Sequence, residues 1–115
     1  MSEKRSYRIV TMLNPKEGMD DKFNDWYSNA HMPQALNVPG MVSGQRFRLS
    51  KEQRDGSKPQ WRYLAYYEVE SDDIQGVIDE LKRREGTPEL VGTDTILPGG
   101  SVMFFEPITE KMTNN

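Results

Sequence analysis

The sequence predicts an α+β protein in which two helices cover a four-stranded antiparallel sheet, and two observations support this prediction. Segments with strand-like and helix-like patterns follow one another in the order strand, helix, strand, strand, helix, strand. The length of 115 residues allows one domain rather than two. Two βαβ halves in one domain form the split-βαβ, ferredoxin-like arrangement. We therefore expect a single domain over 1–115, with polar extensions at 1–6 and 107–115.

The first half of the chain predicts a strand at 7–13 and then an amphipathic helix. Asp20 and Asp21 suit the first turn of this helix, because negative side chains complement the positive end of the helix dipole. Pro33 is expected to end the helix, since the residue before a proline avoids helical geometry. The apolar stripe of the helix has helical spacing and comprises Phe23, Trp26, Tyr27, Ala30 and His31.

The second half predicts two strands joined by a long polar connection, then a helix and a last strand. The three strands are expected at 41–49, 61–69 and 101–106. Ser71 is expected to cap the second helix. The core stripe of that helix comprises Ile74, Val77, Ile78 and Leu81. The segment 87–100 has no clear period, so we expect it to cover part of the domain or to hold a short strand.

Strand alternation places apolar residues on both faces of the predicted sheet. One face of the third strand carries Tyr63, Ala65, Tyr67 and Val69. The other face of the sheet is expected to carry Val10, Met12, Leu64, Tyr66, Val102 and Phe104. Because neither face suits water alone, the sheet needs a second cover besides its helices. A second copy of the chain can supply that cover, so the sequence predicts a homodimer with sheets packed face to face.

Composition argues against several classes of function and site. The 15 basic and 18 acidic residues give a net charge of −3, whereas a general nucleic-acid surface needs a basic excess. No apolar stretch approaches the roughly 20 residues of a membrane span, and the N-terminus lacks the apolar centre of a secretion signal. Zero cysteines and one histidine argue against disulfides, thiolate chemistry and multi-histidine metal sites. We therefore expect a cytoplasmic protein without nucleic-acid or membrane partners, metal or cofactor.

The single histidine, His31, is the first candidate for chemistry. Its side chain is the one whose ordinary pKa lies near neutral pH. It follows Tyr27 by one helical turn, so the two side chains can touch. The alternative is a residue near the end of a helix that simply bonds a free carbonyl.

Aromatic residues near His31 form a second group of candidates. Tyr27 and Tyr66 can donate hydroxyl protons, and Trp26 can form a stacking wall for a planar ligand. Phe23 belongs to the same helical stripe and is a candidate substrate contact. Stripes with this spacing also form protein cores, and that alternative remains open for each of them.

Charged residues on the predicted strands form the third group. Arg46 and Arg48, together with Arg62 on the neighbouring strand, can hold a carboxylate or a phenolate. The alternative is that these side chains are solvated cations at the sheet edge. Glu68 lies between aromatic residues in the middle of a strand, so burial would make it a candidate acid or base. The acidic residues in 17–25 have the spacing of no calcium loop.

These residues give the chain a resemblance to a known family. The pattern Phe23-x-x-Trp26-Tyr27-x-x-x-His31-x-Pro33, followed by Pro39-Gly40, Arg46-Phe47 and 63–68, resembles the EthD-like group of dimeric α+β barrel proteins. The resemblance implies a ferredoxin-like protomer that forms a homodimer, with the family's histidine at His31 and its aromatic neighbours at Trp26 and Tyr27. The wider superfamily includes polyketide cyclases, muconolactone isomerase-like enzymes, cofactor-free monooxygenases and haem-binding members. This chain lacks the second histidine that cyclase-like relatives often use.

Two hypotheses about function follow. The first is a cofactor-independent enzyme that acts on a small aromatic or polyketide-like compound by dehydration, cyclisation, isomerisation or decarboxylation. His31 would be the general base, and Tyr27 or Tyr66 would donate to the developing oxyanion. The expected substrate contacts are Trp26, Phe23, Arg46, Arg48 and Glu68. The second hypothesis is a non-catalytic dimer of the same fold that binds a ligand or haem.

Overall fold

The computed structural model describes residues 3–114, and its elements follow the predicted order. The strands are β1 (Arg5–Leu13), β2 (Met41–Arg48), β3 (Tyr63–Ser71) and β4 (Ser101–Phe105). The first helical segment consists of α1 (Asp20–Trp26), a π-turn (Tyr27–His31) and α2 (Met32–Ala35), and the second helix is α3 (Ile74–Arg84). Of the predicted polar extensions, residues 1, 2 and 115 lie outside the described part of the chain.

The four strands form one antiparallel sheet in the order β2-β3-β1-β4. β1 pairs with β3 along its whole length, with Ile9 opposite Tyr67, and also pairs with β4, with Ile9 opposite Phe104. Consecutive strands β1 and β2 are separated by β3, which is the split-βαβ arrangement. The predicted α+β, ferredoxin-like fold is therefore confirmed.

The first helical segment does not end at Pro33, contrary to the prediction. Helix continues to Ala35, and a π-turn ends at His31, two residues before the proline. In this turn the backbone N–H of Met32 donates to the carbonyl of Tyr27, five residues earlier. A proline inside a helix lacks one N–H donor, and its ring crowds the carbonyl four residues earlier. The wider π-turn loosens the backbone at that position and lets the helix pass through Pro33.

The N-cap of α3 also differs from the prediction. The Asp73 carboxylate, not Ser71, accepts from the first turn, with its Oδ1 3.0 Å from the Gly76 nitrogen. Ser71 is the last residue of β3, and its Oγ accepts from the Asp73 N–H at 2.9 Å. In the predicted core stripe, Val77 is buried, and the other three side chains are half-buried.

The two faces of the sheet differ in cover. The covered face carries the buried residues Tyr7, Ile9, Thr11, Ala65, Tyr67 and Val69. Val102 and Phe104 were expected on the opposite face, but they pair with Thr11 and Ile9 and so belong to the covered one. The other face, called the open face below, carries Val10, Met12, Phe47, Leu64, Tyr66, Met103 and Phe105. Without Val102 and Phe104, the open face still carries these apolar side chains, next to the charged residues Arg8 and Glu68.

The segment after α3 packs along the first helical segment. Leu90 is buried in the core, and Ile96 forms an isolated bridge with Pro15. The Val91 carbonyl accepts from Trp26 Nε1 at 2.9 Å, and its N–H donates to Gln34 Oε1 at 2.8 Å. The segment therefore covers the first helical segment, and one of its residues forms an isolated β-bridge. In the part of the chain that the structure describes, no helix is long and apolar enough to span a bilayer.

Candidate functional site

A cavity of about 380 Å³ lies between the covered face of the sheet and the two helical segments. Most of its wall is apolar and includes Ile9, Met41, Ile78, Leu81, Leu90 and Phe104. The π-turn contributes Tyr27 and His31, and the last turn of α3 contributes Lys82 and Glu85. An apolar pocket with a few convergent polar groups is the usual form of a small-molecule site.

Three hydroxyl groups form a hydrogen-bonded chain in the cavity wall. Tyr27 Oη lies 3.0 Å from Thr11 Oγ1 and 3.0 Å from Tyr67 Oη. Each hydroxyl has one proton, so the two internal bonds use two of the three protons. One O–H, on whichever of the three residues does not use its proton within the chain, remains able to donate to a ligand. Burial raises the pKa of both tyrosines, so these groups act as neutral donors at pH 7.

His31 is held among aromatic rings beside this chain. Its ring centroid lies 4.7 Å from that of Tyr27, in an edge-on contact, and 4.5 Å from that of Trp26. The hydrogen bond from Trp26 to Val91 fixes the indole, which in turn restricts the imidazole. Nδ1 of His31 is buried and has no hydrogen-bond partner within residues 3–114. The alternative of a carbonyl bonded to this nitrogen is therefore not observed.

Two causes lower the pKa of His31 to about 4: burial is the larger, and the positive charge of Arg46 is the smaller. The imidazole is consequently neutral at pH 7, with a lone pair available to accept a proton or to coordinate a metal. A neutral, unpartnered imidazole beside hydroxyl donors is suited to general base chemistry.

Arg46 lies behind Tyr27 and is absent from the cavity wall. Its guanidinium carbon is 4.7 Å from the centroid of the Tyr27 ring, a cation–π distance. Its terminal nitrogens donate to Asn24 Oδ1 at 2.9 Å and to Ser28 Oγ at 2.8 Å. Arg46 therefore binds the first helical segment instead of reaching the cavity as a substrate clamp.

The structure does not bring the remaining predicted residues to the cavity. Tyr66 lies on the open face, where its Oη accepts from Arg8 Nε at 2.8 Å. Glu68 is exposed on the same face, and Arg48 is exposed at the end of β2. Phe23 is fully buried and packs in the core next to Tyr27. Trp26 reaches the site through its contact with His31.

Sequence reasoning missed two residues of the site, Thr11 and Tyr67. The tyrosines at 66 and 67 place one hydroxyl on each face of the sheet, and the prediction named Tyr66, which lies on the open face away from the cavity. The available signal was strand alternation: Tyr67 shares its face with Ala65 and Val69, the smaller and β-branched residues that pack under helices. Thr11 is the partner of Ala65 across the β1–β3 pair.

Comparison with known proteins shows similar folds among solved structures. No protein-family model matches the chain, and no curated protein matches it. A variant of MhuD with two manganese protoporphyrin IX bound per active site has 17% identity and a TM-score of 0.62, over 93% of this chain and 99% of that one.

Two further structures belong to the group that the sequence motifs resemble. An EthD family protein from Bacillus halodurans has 11% identity and a TM-score of 0.52, over 90% of this chain and 99% of its own. An EthD-like protein from Ralstonia eutropha has 13% identity and a TM-score of 0.53, over 96% and 97%. At these identities the likeness is one of fold, and this chain has the fold of EthD-like proteins and of MhuD.

Proposed function

We propose that the protein is a cofactor-independent enzyme that acts on a small aromatic or polyketide-like compound, with His31 as its general base. One observation supports this proposal above all. The largely apolar cavity brings a neutral imidazole together with a chain of three hydroxyls that has one free proton. Such a cavity can hold a flat apolar ligand, and its free hydroxyl can donate a hydrogen bond to an oxygen atom of that ligand.

The proposed step is a proton transfer. The imidazole nitrogen of His31 takes a proton from a carbon next to a carbonyl, or from a phenol. The C–H or O–H bond breaks, an N–H bond forms, and the electron pair moves to the ligand oxygen. The free hydroxyl proton of the chain then stabilises that oxyanion in the largely apolar cavity. Return of the proton from the imidazolium to a different carbon completes an isomerisation. In a dehydration the proton goes instead to a β-hydroxyl, which leaves as water while the enolate electron pair forms the C=C bond. In a cyclisation the enolate carbon attacks a second carbonyl of the ligand, and that carbonyl's oxygen takes the proton.

A pKa of about 4 makes His31 a weak base in the free protein. It also keeps the imidazole unprotonated at pH 7, which is the form that can accept a proton. Negative charge that develops on the ligand beside the imidazole raises the pKa of His31 during the reaction. The rate should therefore be constant near neutral pH and should fall as the pH approaches 4, where His31 becomes protonated.

The proposal is tested by hydrogen–deuterium exchange at the acidic carbon of aryl ketones in D₂O, followed by NMR. This assay needs no knowledge of the natural substrate, because proton removal alone is measured. We expect the protein to accelerate exchange and His31→Ala to reduce that acceleration by roughly 100-fold or more. Asn29→Ala, an exposed change on the same π-turn, should leave exchange unchanged. Equal exchange by His31→Ala and the unaltered protein contradicts the proposal.

The alternative proposal is a protein that binds haem without catalysis, and two observations favour it. A neutral imidazole is the protonation state that a porphyrin iron requires, and the cavity wall suits an apolar macrocycle. MhuD, a protein of similar fold, has been solved with a manganese porphyrin. His31 would be the iron ligand here. A Soret band that appears on addition of haemin and is lost in His31→Ala would favour this alternative.

We also propose that the protein forms a homodimer through the open face. Phe47, Met103 and Phe105 on this face are 44%, 54% and 54% exposed in the isolated protomer. They lie on the two edge strands of the sheet, and the half-buried apolar side chains of Val10, Met12 and Leu64 lie on the strands between them. Exposed apolar surface of this kind marks interaction sites. A second copy of the chain presents the same surface, so a two-fold arrangement buries both faces at once.

A further inference from the structure

We propose that Arg46 is a positioning residue that acts through Tyr27: its fixed positive charge opposes protonation of His31, in addition to burial, and stabilises negative charge that forms on a ligand oxygen in the cavity. The inference about the ligand rests on the proposed function, whereas the effect on His31 does not. This role differs from the substrate clamp that the sequence predicts for Arg46.

The geometry holds the guanidinium in one place. It lies over Tyr27 and also near the rings of Phe23 and Tyr63, at 5.4 and 5.8 Å from their centroids. Its hydrogen bonds to Asn24 and Ser28 attach it to the first helical segment. Within residues 3–114 no carboxylate lies within ion-pair distance of it, and its Nε is buried without a hydrogen-bond partner. Its charge is therefore not neutralised by the protein.

Arg46 lies outside the cavity wall, behind Tyr27, and its positive charge acts on His31 across the Tyr27 ring. Tyr27, on the same π-turn, and Tyr67, from β3, are neutral at pH 7. Lys82 and Glu85, from α3, carry opposite charges, and both are exposed. A positive charge close to an imidazole opposes protonation, and Arg46 lowers the pKa of His31 in this way, in addition to burial.

This arrangement selects a class of ligand. Protonation of His31 puts a second positive charge next to Arg46, which is unfavourable unless a negative charge forms on the ligand at the same time. The site consequently favours ligands whose oxygen becomes anionic when they lose a proton, namely phenols and enolisable ketones. It does not favour ligands that would take up a proton without forming an anion.

The test is an NMR titration of the imidazole Hε1 signal, which is unambiguous because the untagged chain has one histidine. Arg46→Met should raise the titration midpoint of His31 by roughly one pH unit from about 4. Arg46→Lys, which keeps the charge, should restore most of the original value. Arg48→Met removes the same charge from an exposed site on the same strand, so it should leave the midpoint unchanged. Equal midpoints in Arg46→Met and Arg48→Met overturn the proposal.

Two further variants keep the test decisive if Arg46→Met does not fold. Asn24→Ala and Ser28→Ala each release the guanidinium without deleting it. Both should move the His31 midpoint upwards by a smaller amount, and the absence of any movement in both overturns the role of Arg46.

The ligand half of the inference is measured with 4-nitrophenol, whose phenolate absorbs at longer wavelength than the phenol. Bound nitrophenol should ionise at a higher pH in Arg46→Met than in the unaltered protein, because burial disfavours the phenolate and the variant lacks the positive charge that opposes this effect. Ionisation of bound nitrophenol at the same pH in the two proteins overturns the inference about the ligand. Failure of nitrophenol and other phenols to bind contradicts the proposed function, while the His31 titration still decides the role of Arg46.

Discussion

At and next to the π-turn, side chains have pKa values that differ from their values in water. His31 keeps a neutral ring at pH 7 because burial and Arg46 both disfavour its charged form. The same burial keeps the hydroxyls of Tyr27 and Tyr67 protonated. Proton donors and a proton acceptor thus lie side by side, each in its neutral form.

The lowered pKa of His31 predicts a dependence of stability on pH. The unfolded chain binds a proton below about 6.5, whereas the folded protein binds it only near 4. Protonation therefore favours the unfolded state, and stability present above pH 6.5 is lost as the pH falls to 4, by roughly 3 kcal/mol. Urea denaturation of the protein and of His31→Gln measures this contribution. His31→Gln should lose less stability between pH 7 and 4.5, and parallel losses would contradict the prediction.

The identity of these residues was partly predictable from the sequence. His31 was found because it is the one histidine and it follows Tyr27 by four residues. Tyr67 was missed because adjacent strand residues point to opposite faces, and the choice between Tyr66 and Tyr67 requires knowing which face the helices cover. The sequence also singled out Arg46, but the direction of its side chain depends on hydrogen bonds to Asn24 and Ser28 that no spacing reveals.

At the scale of elements, the first helical segment and the chain after α3 form one unit around the cavity. Trp26 and Gln34 hold the two backbone groups of Val91, and the neighbouring Leu90 forms part of the cavity wall. The position of this irregular segment could not be read from the sequence, because its contacts are hydrogen bonds to side chains 57 and 65 residues away. Pro33 misled the prediction for a related reason, since a π-turn leaves no pattern of apolar spacing.

Loss of one of these bonds should loosen the cavity wall. Trp26→Phe keeps an aromatic ring next to His31 but leaves the Val91 carbonyl without its indole donor, at a cost of about 1 kcal/mol. Hydrogen exchange read by mass spectrometry should become faster in peptides that cover 86–91. The matched control is Trp61→Phe, which removes an exposed indole bond to Gly99. Equal exchange at 86–91 in both variants is the outcome that contradicts this role of Trp26.

At the scale of the whole molecule, the open face carries exposed apolar side chains that no element of a single protomer covers. The order of strands and the apolar character of both sheet faces were predictable, because they follow from alternation within single segments. The placement of β4 was not, since the face of Val102 depends on its register with Thr11 across a long irregular connection. The corrected open face still presents Phe47, Met103 and Phe105 to solvent.

A homodimer through this face predicts a selective effect of charge. The unaltered protein should have twice the protomer mass in light scattering, and Met103→Glu should shift it towards the protomer because a buried unpaired carboxylate is unfavourable. Ile108→Glu places the same charge on a side chain that is 97% exposed in the C-terminal tail, and it should keep the dimer mass. A protomer mass for the unaltered protein, or a dimer mass for Met103→Glu, argues against this interface.

The central claim is that the cavity binds a small aromatic ligand with its oxygen beside His31 and the hydroxyl chain. A crystal structure of the protein soaked with small phenols and aromatic ketones tests it most directly. The account predicts density in the cavity, with a ligand oxygen within hydrogen-bond distance of the hydroxyl of Tyr67 or Thr11 and an acidic proton facing the imidazole. A cavity closed by side chains in the crystal, or ligands bound only elsewhere on the molecule, would contradict it.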